Sequence, residues 1–334
     1  MTQEFSAILI EWQKRHGRRD LPWQISNDPY AIWVSEIMLQ QTQVVTVIPY
    51  YERFLSAFPN LEALASASLD NVLSLWSGLG YYSRARNLHK AAKILSNLGK
   101  FPDSPEALSG LPGIGRSTAA AIAAFAFSKR AAILDGNVKR VFARFFGIEG
   151  HPGEKGVENR MWEKAESLLP ETEIGCYTQA LMDLGAGLCS RRNPDCAKCP
   201  LNSGCIARLS GRVHELPQPA PKKALPLRET TFLVLAREGR LLFERRPGKG
   251  IWAELLCFPE LKQGQDLSVF DPSNTECLPS FTHAFTHFRL KIEAVLVETG
   301  KHREGIWLSM EEALASPIPN PVRKILGRIR QPFP

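Results

Sequence analysis

The stretch "LSGLPGIGRSTAA", Leu108 to Ala120, decides how the first two-thirds of this chain is read. Two helical segments flank Leu111-Pro112-Gly113-Ile114-Gly115. Glycine lacks a Cβ, so such a turn can close tightly and bring its backbone up to a phosphate. The amides at the start of the following helix then point at the anion. The plainer reading is a glycine-containing helical turn. The Ala-rich run "RSTAAAIAAFAF" is strongly helix-forming and small enough to pack closely on its neighbours.

Helical signals continue on both sides. Asp28-Pro29 is a helix start, with a capping residue and then proline in the first turn, leading into "YAIWVSEIMLQQTQVV". Ser68 is placed to cap "LDNVLSLW", and "YYSRARNLHKAAKILSNL" has helical periodicity. In "ILDGNVKRVFARF", Val138, Val141, Phe142 and Phe145 follow the i, i+3, i+4, i+7 pattern. That helix is expected to bury one face and expose Lys139, Arg140 and Arg144.

The texture changes after residue 213. "HELPQPAPKKALPLRE", His214 to Glu229, has four prolines and reads as an extended, semi-rigid linker. Strand-like runs follow ("TTFLVLA", "RLLFERR", "LKIEAVLVE", "GIWLS"), then a terminal helix, "PVRKILGRIR". The expected organisation is a helical domain over 1–213, a linker over 214–229 and a mixed α+β domain over 230–334.

The chain has 334 residues, 44% hydrophobic, with a net charge of +7. It can bury a sizeable core, and its basic balance favours a polyanionic partner. No apolar run approaches the roughly 20 residues needed to cross a bilayer, and the N-terminal pattern, with Glu4 and Glu11, is an amphipathic helix rather than a signal peptide. A cytoplasmic location is expected. Four of the seven cysteines, Cys189, Cys196, Cys199 and Cys205, are spaced C-x6-C-x2-C-x5-C. In a chain of this size without a secretion signal they suit a metal better than disulfides. Spacing alone leaves zinc and an iron–sulfur cluster both open.

Two carboxylates stand out. Glu36 shares a helical face with Ile32, Trp33 and Gln40, so it should lose hydration and its pKa should rise, which suits a general acid. A helical Glu taken alone is usually a solvated surface residue. Asp135 precedes the basic helix and fits an N-cap. The helix amides and dipole would favour its ionised form, which could stabilise a cationic transition state.

Together, "LPGIGRST", "LDGNVKR", "SEIMLQQTQ", "GLGYYSRARNLHKAA" and the four cysteines resemble the MutY family of adenine DNA glycosylases, part of the helix–hairpin–helix superfamily that includes endonuclease III. The resemblance covers both domains, most closely Leu21 to Cys205. It implies an all-α helix–hairpin–helix catalytic domain with a [4Fe–4S] cluster held by the four cysteines, and a C-terminal α+β Nudix-like domain. It implies removal of adenine mispaired with 8-oxoguanine or guanine in double-stranded DNA. Glu36 would then protonate adenine N7, Asp135 would stabilise the sugar cation, and Asn137 would help position the sugar-side groups. Gln41 and Tyr81 match the residues that enter the duplex. Gly113, Gly115, Arg116, Ser117 and Lys139 match DNA contacts, and Asp183 matches an acidic adenine-pocket residue of some relatives. Where endonuclease III has a Schiff-base lysine this chain has Ser117, so a monofunctional glycosylase is expected.

In the C-terminal domain "KGIWAELLCFPE" is similar to a Nudix strand region, but the magnesium-binding acidic helix does not follow it. Phe285-Thr286-His287 matches the loop that reads 8-oxoguanine, with threonine where many relatives have serine. Thr286 and His287 are therefore expected to contact DNA. A plain alternating strand remains the other reading of that segment. The resemblance further implies a monomer associated with the nucleoid. Two competing readings are an endonuclease III-like glycosylase/lyase, opposed by Ser117, and a non-catalytic iron–sulfur DNA-binding protein, opposed by the Glu36–Asp135 pair.

Overall fold

The computed structural model describes residues 2–221, 224–261 and 266–329, without the side chains of residues 2 and 3. Lys222 and Lys223 of the expected linker, and Arg330 at the end of the expected terminal helix, lie outside the described residues. Two compact units are present: Met1–Ala65 with Lys90–Lys222, and Ser66–His89 with Lys223–Pro334.

The helices in chain order are α1 (Thr2–His16), α2 (Pro29–Leu39), α3 (Val44–Ala57), α4 (Leu61–Ser66), α5 (Leu69–Trp76), α6 (Ser83–Leu98), α7 (Pro105–Ser109), α8 (Arg116–Phe127), α9 (Gly136–Phe145), α10 (Lys155–Ser167), α11 (Ile174–Ala186) and α12 (Ile206–Leu209). The capping signals act as the sequence predicts. Asp28 accepts from Tyr30 N at 3.0 Å, Ser68 from Asn71 N at 3.2 Å and Asp135 from Val138 N at 2.8 Å. Each satisfies an amide that the first turn leaves open.

In the first unit α2 is buried nearly all round, through Tyr30, Ala31, Ile32, Trp33, Val34, Ser35, Ile37 and Met38. A helix apolar on every side belongs in a core. It packs on α8, whose buried Ala119–Ala124 run lets the two backbones approach. A second part of this core joins α1, α9 and α11 through Phe5, Leu9, Val138, Val141, Phe142, Tyr177 and Leu181. Phe5 sits edge-on to Phe142, with ring centroids 6.1 Å apart. Leu216, inside the proline-rich segment, is also buried in this core.

The second unit holds a mixed sheet of β1 (Leu227–Arg237), β2 (Arg240–Arg245), β3 (Leu256–Cys257), β4 (Pro272–Ala284), β5 (Arg289–Thr299) and β6 (Ile306–Leu308). The strand order is β3-β2-β1-β5-β4, with β6 also pairing with β2. The central pair, β1 and β5, runs parallel and pairs Leu227 with Arg289 through to Ala236 with Glu298. Two short helices, α13 (Met310–Ala315) and α14 (Asn320–Leu326), belong to the same unit, with α5 and the start of α6. The terminal helix ends at Leu326 because Gly327 caps it. Strand β4 is missed by periodicity: it contains Pro272 and Pro279, and its register shifts between Leu278 and Phe281.

Candidate active site

Glu36 is the one charged residue of α2. It lies half-buried in the wall of a cleft of about 400 Å3. Trp23, Ile32 and Phe125 give that cleft apolar surface, while Gln24, Asn27, Ser35 and Gln179 give it hydrogen-bonding groups. Burial pushes the Glu36 carboxyl up to about 8, and the negative charge of Asp135 adds to the rise. A group so placed is protonated at neutral pH and can give its proton to something in the cleft.

Asp135 is the N-cap of α9. Its carboxyl also stands above the usual range, because burial outweighs the opposing amides of Val138 and Asn137 and the charge of Arg140. The helix start therefore moderates the cost of ionising Asp135 but does not overcome it. The segment leading to it is held by Ser117, whose Oγ accepts from Leu134 N at 2.9 Å.

The basic residues of α9 are not a solvated row, contrary to the periodicity reading. Arg144 is only 3% exposed. It donates to the Cys189 Sγ at 3.3 Å and to the carbonyls of Ser190 (2.7 Å) and Leu216 (2.9 Å). Arg140 donates to the Cys189 carbonyl and to Asn137 Oδ1, at 2.8 and 2.7 Å, and to the Gly185 carbonyl at 2.5 Å. Both guanidiniums are turned inward because buried carbonyls need donors and Arg carries five. Lys139 pairs with Glu158 at 2.6 Å.

Sequence reasoning missed the role of α11. Asp183 is buried behind the cleft wall and accepts from Gln13 (3.0 Å), Gln179 (2.8 Å) and Arg18, through both its backbone and its guanidinium. Three of the residues that line the cleft, Gln13, Arg18 and Gln179, are thus fixed through one carboxylate. The side chains of α11 that line the cleft are Cys176 and Gln179, the latter one turn before Asp183. Gly185 follows on the same helix. A Cβ there would come 2.6 Å from Asn137 Cβ and 3.2 Å from its backbone, so only glycine lets α11 lie against the first turn of α9. The signal was present in "LMDLGA", but nothing in the sequence says which helix the glycine meets.

The four cysteines line one small cavity, together with Arg144, Leu188 and Arg208. They surround its space rather than converge: among the described residues, no three His, Cys, Asp or Glu side chains are grouped to hold a single metal ion. Burial pushes the Cys199 thiol up to about 11, and backbone amides at Leu201 and Arg208 oppose the rise at Cys199 and Cys205. Burial disfavours these thiolates, and a bonded cation would compensate their charge.

Two family models match the chain. Residues 34–167 fit the HhH-GPD superfamily of base excision DNA repair proteins, and residues 230–328 fit the NUDIX domain. The sequence is 38% identical to the adenine DNA glycosylase of Buchnera aphidicola subsp. Acyrthosiphon pisum, over 98% of both chains. The chain belongs to the adenine DNA glycosylase family. It is 44% identical to the human adenine DNA glycosylase over 61% of this chain and 39% of the human one. A solved thermostable thymine-DNA glycosylase superposes on 63% of the chain with a TM-score of 0.56 and 30% identity, covering 97% of that protein.

An adenine DNA glycosylase acts on DNA in base excision repair. Gly113 has φ +80° in the turn between α7 and α8, and Gly115 is the N-cap of α8. Gln40 donates to the Gly113 carbonyl at 3.4 Å and to Thr118 Oγ1 at 3.3 Å, tying the hairpin to the end of α2. Arg116 lies over the Trp162 ring at 3.8 Å and pairs with Glu166. Gln41, exposed, has φ +58°, and Tyr81, 49% exposed, has φ +49°. Non-glycine residues held in the left-handed region are rare and cluster at functional sites. The Phe285–Phe288 segment is a turn between β4 and β5 rather than a continuous strand. Phe285 N donates to the Phe288 carbonyl at 2.9 Å and the two rings stack at 4.5 Å, leaving Thr286 and His287 exposed at the tip.

Among the described residues, no helix is long and apolar enough to cross a membrane.

Proposed function

We propose that the cleft beside Glu36 receives adenine turned out of a duplex in which it is mispaired with 8-oxoguanine or guanine. The observation that carries this reading is Glu36 itself: an acid held protonated up to about pH 8, in an aromatic-walled cleft, and within the electrostatic reach of a second carboxylate. Adenine N7 is out of reach in a stacked duplex, so the base must leave the stack first. Trp23 and Phe125 offer apolar surface to the purine, and Gln24 and Gln179 offer hydrogen bonds to its edge.

Glu36 protonates N7. The C1′–N9 bond then breaks, its electron pair passes to the base, and positive charge is left on the sugar. Asp135, ionised, faces that charge, and Asn137 beside it holds the sugar-side groups. Water adds at C1′ and gives its proton to the Glu36 carboxylate, which restores the acid. This is the two-carboxylate logic of sugar hydrolysis applied to a nucleoside. Because Ser117 carries a hydroxyl engaged by Leu134 N and no amine, the enzyme is monofunctional and leaves an abasic site with the strand intact. It works on DNA as a monomer at the nucleoid.

Cys189, Cys196, Cys199 and Cys205 would hold one [4Fe–4S] cluster. Thiols spread around a cavity suit a group whose ligands bind separate irons. Bound there, the cluster would cross-link the loop and neutralise its thiolates. Gln41 and Tyr81 enter the duplex, Gly113, Gly115 and Arg116 approach its backbone, and Thr286 and His287 read the 8-oxoguanine left opposite.

The test is a single-turnover assay on one duplex with A opposite 8-oxoG, G, T or C, with and without alkali. Release of adenine opposite 8-oxoG and G, with strand breaks appearing only after alkali, is expected. Strand breaks without alkali, or equal release opposite all four bases, would refute the reading.

A further inference from the structure

The turn that presents Tyr81 is built into the same compact unit as the Thr286–His287 tip. Gly78 and Gly80 take φ +102° and +78°, which reverse the chain between α5 and α6. Trp76 Nε1 and Arg84 Nη2 both donate to the Gly80 carbonyl, at 3.1 and 3.2 Å. The other side of this turn is gripped from the C-terminal end of the chain. Ser77 Oγ and Tyr82 Oη both donate to the Ile318 carbonyl, at 2.9 and 3.2 Å. Asn320 Nδ2 donates to the Gly78 carbonyl at 3.4 Å, and Arg323 Nη2 to Ser77 Oγ at 3.2 Å.

The same short segment reaches the other reader. Lys324 and Arg328 lie over the Phe281 ring at 4.3 and 4.7 Å, and Arg328 also donates to the Pro279 carbonyl. Phe281 is on β4, three residues before the strand gives way to the stacked Phe285–Phe288 turn. Residues 318–328 therefore hold the Tyr81 turn at one end and the base of the Thr286–His287 tip at the other.

We propose that this segment, centred on α14, is a strut that fixes the spacing between Tyr81 and the Thr286–His287 tip, and so sets the preference for 8-oxoguanine over guanine opposite adenine. A duplex-entering ring and a base-reading tip must meet the same base pair at once. Each gains from the other only if their separation is fixed beforehand, which is the general advantage of preorganisation. Ser77, Tyr82 and Asn320 are then positioning residues that act through Tyr81. The proposal rests on the reading of Tyr81 and the tip given above.

The test is a double-mutant cycle on single-turnover rates for A:8-oxoG and A:G duplexes. Ser77→Ala with Tyr82→Phe removes both hydrogen bonds to Ile318 and keeps the ring. The expected result is a fall of about fivefold or more in the A:8-oxoG to A:G rate ratio, comparable to losing one net hydrogen bond. Ser77→Thr, which keeps the hydroxyl, should retain the ratio. In a Tyr81→Ala background the double change should move the ratio no further. Circular dichroism at the assay temperature checks that the double variant is folded, so that an unchanged ratio is not a folding defect. An unchanged ratio in the double variant, or an undiminished effect without Tyr81, overturns the strut. If the wild-type protein shows no preference for 8-oxoguanine, the mispair reading itself fails, and the same cycle on A:G release alone then decides whether the strut acts through Tyr81.

Discussion

If Glu36 is the proton donor, the rate of adenine release must follow its protonated fraction. With a carboxyl at about 8, that fraction is about 90% at pH 7. An ordinary glutamic acid near 4.5 would be about 0.3% protonated there, so the cleft supplies roughly 300-fold more of the active acid. Single-turnover release should therefore be level near neutrality and fall about tenfold per pH unit above 8. The acid limb, set by ionisation of Asp135, should lie above the ordinary aspartate range because burial raises that carboxyl too. The two carboxyls interact, so the limbs belong to the pair. A raised carboxyl means the folded state binds the proton more tightly than the unfolded chain. Stability is then greatest below about 4.5 and is lost as pH rises through 8, by on the order of 5 kcal/mol from this group. Glu36→Gln removes that loss. It should abolish release, by about 10²-fold or more, while raising the unfolding midpoint at pH 9 relative to wild type. A rate that stays level to pH 9.5, or a Glu36→Gln protein that keeps its turnover, would refute the reasoning.

Asp135→Asn separates the cap from the charge. Asn caps helices about as well as Asp, so stability should change by less than about 1 kcal/mol while release falls by about 10²-fold or more. Near-normal rates would leave Asp135 as a cap alone. Gly185→Ala would put a methyl group 2.6 Å from Asn137 Cβ, which should cost about 1–3 kcal/mol in urea unfolding and slow release by displacing the start of α9. A fully active, fully stable variant would show that the helices can part without consequence. Asp183→Ala strips Gln13, Arg18 and Gln179 of their shared acceptor, and should cost about 1–3 kcal/mol, chiefly by leaving the donor of buried Gln13 without its partner. Unchanged denaturation would remove Asp183 from the support of the cleft. The purified protein should be yellow-brown with broad visible absorption, and Cys199→Ser should bleach it. A colourless wild-type protein with stoichiometric zinc would overturn the cluster.

Local order along this chain was legible because it is set by local chemistry. Asp28-Pro29, Ser68 and Asp135 start helices wherever the sequence is read, since a capping oxygen needs only an amide two or three residues away. The glycine turn after Leu111, the four cysteines and the acid among apolar neighbours on α2 were visible for the same reason, and so was the change of texture beyond residue 213. Strand β4 was not, because its prolines and shifted register spoil the period-two pattern while pairing with β5 still holds it. Nor could the sequence say which way the arginines of α9 turn. Arg140 and Arg144 resemble phosphate ligands in one dimension. In three they meet the carbonyls of Cys189 and Ser190, partners 49 and 46 residues away that only folding brings near. Gly185 is visible in "LMDLGA", but its partner is not: its meaning is the 2.6 Å between a missing Cβ and a neighbouring helix. Residue types and short-range spacing determined the chemistry this protein can carry. Burial and long-range packing decided which carboxyl keeps its proton, which cations are spent inside the fold and which side chains face the cleft.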